Sequence, residues 1–164
     1  MGVDIHMHVV GKDGEMKYSD IFDGRNTEWF DNITKNYHND FYQNYPVRYA
    51  LPEKVPAEIK NDHDDPDSCF YDFFHVNVGE FLEWFEEARP DIDAGWVCTY
   101  DKWLYENKKI VPELERWLDE DANPYDYHFI EVENPWDCSR WLYDYINEHE
   151  DIAADDFIVY YFDC

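Results

Sequence analysis

A chain with a formal charge of −26 can fold only by keeping its carboxylates in water and burying something large enough to offset their repulsion. The means are present: seven Trp, fourteen Tyr and eleven Phe among 164 residues. Acidic disordered segments are poor in aromatics because they build no core. The chain therefore reads as a folded body, one domain over residues 1–164. The imbalance is uneven: residues 1–50 hold eight acids and five bases, residues 51–164 thirty-one acids and eight bases. Such charge disfavours direct contact with nucleic acid or anionic membranes. It favours cationic partners: metal ions, basic peptides, or a protein groove that normally holds nucleic acid. No stretch approaches the roughly 18 apolar residues of a membrane span, and no basic segment or apolar signal core precedes the first strand. Cys69, Cys98, Cys138 and Cys164 are dispersed, with no Cys-x-x-Cys pair, and read as packing residues in a cytosolic chain.

Periodicity supplies the elements. Val3, Ile5, Met7 and Val9 alternate with Asp4, His6 and His8, predicting a strand over 2–10 with one polar face. Gly11-Lys12-Asp13-Gly14 is a turn, and Glu15–Ser19 returns as the hairpin partner. Asn26 caps a helix over Thr27–Asn36 that buries Trp29, Phe30 and Ile33. Residues 37–68 are the least regular, because Pro46, Pro52, Pro56 and Pro66 prevent long helices. Cys69–Val76 reads as a short strand or turn. The spacing of Phe81, Leu82, Phe85 and Ala88 predicts a helix over Val78–Arg89, stopped by Pro90. Further helices are expected at Trp96–Asn107, Pro112–Asp119 and Asn134–His149, and strands at Tyr127–Glu133 and Phe157–Phe162. The expected class is α+β: an N-terminal β-hairpin in a mixed or antiparallel sheet of about four to five strands, with helices packed on one side.

Two patterns carry chemistry. Asp4-x-His6-x-His8 projects a carboxylate and two imidazoles to one strand face, about 7 Å apart, a start for a Zn²⁺, Fe²⁺ or Mn²⁺ site. His38, His63, His75 or His128 would supply a further ligand. The spacing resembles the first-strand motif of amidohydrolases and of the polymerase-and-histidinol-phosphatase superfamily, which implies a metal-dependent hydrolase or nucleotide-processing enzyme. The second pattern is banks of carboxylates on predicted solvent faces: Glu80, Glu83, Glu86 and Glu87 with Asp91 and Asp93, then Glu113, Glu115, Asp119, Glu120 and Asp121. Duplex DNA carries one charge per about 1.7 Å of axis, and carboxylates held on rigid helices imitate it. No phosphate-cradling Gly-rich loop and no Gly-x-Ser-x-Gly elbow occurs.

The opening Met1-Gly2-Val3-Asp4-Ile5-His6 resembles an uncharacterised family of small, mostly phage-encoded proteins that begin Met-Gly-Cys-Asp-Ile-His. Asp23-Gly24-Arg25-Asn26 before Trp29-Phe30, Tyr49-Ala50-Leu51-Pro52, and Asp72–Trp84 with His75 are similar to further segments of that family. Here Val3 stands for its Cys, Ala50 for its Gly, and Phe73–Asn77 lacks its serines. The resemblance implies a phage or prophage origin and the cytoplasm of a bacterial host. The leading expectation is thus a binding protein, not an enzyme, that inhibits a host nucleic-acid-handling or defence protein by occupying its basic cleft. Alternatives are the Asp4/His6/His8 metalloenzyme and a protein that sequesters a small nucleotide on aromatics of Tyr37–Tyr49, with Arg25 and Arg48 converging on its phosphates.

Overall fold

The computed structural model describes residues 4–25, 29–30, 33, 42–134 and 137–163, and it is α+β. The chain divides into two compact units: residues 1–89 with 141–164, and residues 90–140.

The first unit is built on β1 (Asp4–Val10), β2 (Met16–Tyr18), β3 (Val47–Arg48), β4 (Tyr71–Asn77) and β7 (Phe157–Asp163). They form one sheet in the order β2-β1-β7-β4-β3, every neighbouring pair antiparallel. The last strand in sequence is thus the central one. Its apolar and aromatic residues lie between β1 and β4, and Ile158 to Phe162 are all buried. Alternation divides them between the faces. Ile158, Tyr160 and Phe162 lie beside Val9, Met7 and Ile5 of β1. Val159 and Tyr161 lie beside His8 and His6. The β1–β2 turn is closed by Gly14, whose φ of +90° suits glycine and whose N–H donates to Gly11 O at 2.9 Å.

Helices cover both faces, not one. On the Tyr161 face, Ile59 of α1 (Ala57–Asp64) packs with Val10, Val159 and Tyr161. On the opposite face, Tyr160 donates to Tyr45 Oη at 3.0 Å, and Tyr45 meets Trp84 of α2 (Val78–Ala88) edge-on at 4.8 Å. Asn77 caps α2 by accepting from Glu80 N, and Arg89 ends it in the left-handed conformation at φ 45°. Phe81, Trp84 and Phe85 are its buried stripe, and Phe85 stacks on Tyr143 of α4 (Cys138–Glu148) at 4.5 Å. Helix α1 falls in the segment expected to be irregular. It fits between Pro56 and Pro66 and buries only Ile59, so its sequence has no apolar stripe to reveal it. Of the helix expected over Thr27–Asn36, Trp29, Phe30 and Ile33 are helical; the rest lies outside the described residues, as does Trp136.

The second unit is an antiparallel ribbon of β5 (Ile92–Cys98) and β6 (Tyr127–Glu133), with α3 (Thr99–Lys108) following β5 directly. Two expectations are corrected here. Trp96–Cys98 is strand rather than helix, because all seven residues of β5 pair with β6 and Cys98 then caps α3 through Asp101 N. Pro112–Asp119 is not a helix. Glu115 instead exchanges backbone hydrogen bonds with Trp96 at 2.8 and 3.0 Å, satisfying the Trp96 backbone groups on the outer edge of β5. Gly95 permits this approach: a Cβ there would sit 2.8 Å from Leu114 Cβ. A helix would have had little to bury, since Trp117 remains 83% exposed.

Phe81→Ala, at a fully buried ring on α2, should lower the unfolding free energy by about 3–5 kcal/mol in urea melts at unchanged m. A change below about 1 kcal/mol would place the core elsewhere.

Candidate functional site

The polar face of β1 lies where alternation puts it, and its three predicted ligands turn to different partners. Asp4 forms an ion pair with Arg25, whose Nη2 donates to Oδ2 at 3.1 Å, and the guanidinium holds its carboxyl below the usual range. His6 Nε2 donates to Asp163 Oδ2 at 2.9 Å, and its ring stacks on Tyr161 with centroids 5.3 Å apart. His8 is buried. Its Nδ1 accepts from the Asp20 backbone N–H at 3.0 Å, which leaves the proton on Nε2. That proton is donated to Tyr161 Oη at 3.1 Å, and Tyr161 donates in turn to Asp62 Oδ2 at 2.8 Å.

A directed relay therefore links the loop after β2, β1, β7 and α1. Burial pushes the His8 imidazole down and the Tyr161 phenol up, so both hold the protonation state the relay needs. Asp20 Oδ1 approaches His6 Nδ1 at 3.5 Å and His8 Nε2 at 3.7 Å. Among the described residues, no group of three or more His, Cys, Asp or Glu is placed to hold a metal ion. Of the further ligands suggested, His75 donates to Ala50 O, His63 lies at 2.9 Å from Asp64, and His128 lies at 3.0 Å from Thr99 Oγ1. His38 is outside the described residues. Asp20, Asp62, Tyr161 and Asp163 went unrecognised in sequence, since only strand register and the path of α1 bring them to β1.

A cleft of about 760 Å³ opens in the same unit, lined by Tyr49, Leu51, His63, Asp72, Phe73 and Phe74. It follows the part of β4 beyond its two-residue pairing with β3, where the strand is irregular and Asp72 has φ 53°. Of the aromatics suggested for nucleotide stacking, Tyr49 alone among the described residues lines this cleft. Tyr42 and Tyr45 are buried in the core, and Tyr37 is outside the described residues. Arg25 and Arg48 are each forked onto a carboxylate, Asp4 and Glu80 respectively.

The carboxylate banks are mostly where solvent can reach them. On α2, Glu80, Glu83, Glu86 and Glu87 are exposed; Glu80 is held by Arg48 at 2.7 and 3.0 Å, and Glu86 accepts from Tyr143 Oη at 3.0 Å. In the second unit, Asp93, Glu113, Glu115, Asp119, Glu120 and Asp121 are exposed, the last five on an irregular segment and not on a helix. Asp91 departs from the expected set. It is 1% exposed, accepts from Arg140 Nη1 at 2.8 Å, and its carbonyl accepts from Asn134 N at 2.7 Å. Buried and held by Arg140, its carboxylate is a structural anchor just before β5.

Among the described residues no helix is long and apolar enough to cross a membrane. A scan against protein-family models and searches of curated proteins and solved structures each found no match to this chain.

Tyr161→Phe should cost about 1–3 kcal/mol, because it strips His8 of its acceptor and Asp62 of its donor. Since burial lowers the His8 pKa, the neutral imidazole contributes fully above the ordinary 6.5 and the contribution is lost as pH falls through the lowered native value. In NMR titrations the His8 ring should therefore protonate below 6.5. A midpoint at or above that value would contradict the buried relay.

Proposed function

We propose that this chain is a phage-type acidic binding protein that occupies the basic cleft of a host nucleic-acid-handling or defence protein in place of nucleic acid. The observation that carries this reading is the exposure of ten of the eleven carboxylates singled out from sequence, in a chain with thirteen bases against thirty-nine acids. Four sit on α2, Asp93 on β5, and five on the irregular segment that Glu115 ties to β5. Fixed negative charge of this density attracts a basic groove over a Debye length of about 8 Å at physiological salt and displaces the groove's counterions. The likeness of the opening residues to a phage-encoded family is consistent with such a role.

The metalloenzyme and nucleotide-sequestering readings draw less support. Asp4 is taken up by Arg25, His8 by the relay, Tyr42 and Tyr45 by the core, and Arg48 by Glu80.

Affinity purification from bacterial host extract at about 50 mM salt should retain a basic protein that is released near 500 mM or by added duplex DNA. Replacing Asp119, Glu120 and Asp121 by their amides should weaken capture roughly tenfold, mainly through a slower on-rate. Capture of no basic protein, or capture indifferent to salt, would remove this reading.

A further inference from the structure

Large exposed hydrophobics are unevenly placed. Tyr49 is the one found in the first unit among the described residues, whereas Tyr100, Trp103, Ile110, Trp117, Tyr125 and Phe129 are among those of residues 90–140. The open face of the β5–β6 ribbon organises part of this surface. Directly paired residues share a face, so the pairings Glu115↔Trp96 and Trp96↔Phe129 put a carboxylate, an indole and a phenyl ring in one row. The two rings meet edge to face at 5.5 Å, and Phe129 is 59% exposed. Glu131 follows on the same face, about 7 Å along β6, opposite the small, exposed Ala94. The other face is the covered one, with Val97, Val132 and Gly95 buried.

We propose that this open face is where the basic partner is gripped, and that it takes an arginine side chain laid on the Phe129 ring between Glu115 and Glu131. The inference rests on the basic-partner reading and deepens it. An aromatic face attracts a cation through its ring quadrupole, and guanidinium stacks flat while offering a fork of donors to flanking carboxylates. Ammonium offers no flat surface, so arginine is preferred over lysine. Charge selects among occupants. Residues 90–140 hold thirteen acids and five bases, so a second copy would set carboxylate against carboxylate, and a nucleic acid would be repelled.

The test titrates the full chain with nona-arginine and nona-lysine peptides at about 150 mM salt, followed by tryptophan fluorescence. The expected result is binding of nona-arginine roughly tenfold tighter than nona-lysine. Phe129→Ala should abolish the preference and Phe129→Tyr retain it, while Glu131→Gln weakens nona-arginine about threefold. Glu148→Gln with Glu150→Gln, exposed at the end of α4, should leave the preference unchanged. Equal, salt-dependent binding of both peptides, or a preference untouched by Phe129→Ala, would overturn the face and leave the basic-partner reading standing. Binding of neither peptide would overturn both. A dimer in sedimentation that Phe129→Ala dissociates would assign the face to a second copy instead.

Discussion

Mutual repulsion among carboxylates is the force every part of this molecule answers to, and the buried aromatic sheet is the answer. Strand β7 supplies Tyr160, Tyr161 and Phe162, all buried, and lies between β1 and β4. Rings of this size bury about 150–250 Å² each, so a few strands and helices can offset charge that an aliphatic core of equal length would not. The residual polar atoms are not left to weaken it: the Tyr160 hydroxyl meets Tyr45, and Tyr161 bridges His8 and Asp62.

The scarce cations sharpen the surface instead of neutralising it. Arg140 is drawn to the buried Asp91, Lys17 to the buried Asp156 at 2.6 Å, and Arg48 and Arg25 to single carboxylates. The pairs on buried Asp91 and Asp156 fix structural junctions. Glu83 and Glu87 of α2 and Asp119, Glu120 and Asp121 of the second unit stay exposed. Exposed charge of one sign stabilises nothing locally. Its retention is what the proposed binding role would require.

Legibility in the sequence followed local pattern. The alternation in β1, the closing aromatic run of β7 and the stripe of α2 were readable because each carries its own period. Helix α1 was not, since a lone buried Ile59 leaves no period to see. Trp96 and Leu114 were misassigned to helices for a related reason. Their spacing suits an apolar stripe, but pairing with Phe129 and the close approach at Gly95, both long-range, decide the backbone. The same limit governs the sites: Asp4, His6 and His8 do share a strand face, yet Asp163 and Tyr161, which hold the two histidines, come from the other end of the chain, and Arg25, which holds Asp4, comes from beyond the hairpin. Asp91 looked like surface because its environment is set by Arg140, 49 residues on.

If the exposed carboxylates are kept for binding, they are kept against stability. The most direct measurement is the unfolding free energy of a variant in which Glu83, Glu87, Asp119, Glu120 and Asp121 are replaced by their amides, compared with the parent at low and at physiological salt. The expected result is a variant more stable than the parent at low salt, with the gap narrowing as salt screens the repulsion. A variant no more stable than the parent at either ionic strength would contradict the claim that these charges oppose the fold that displays them.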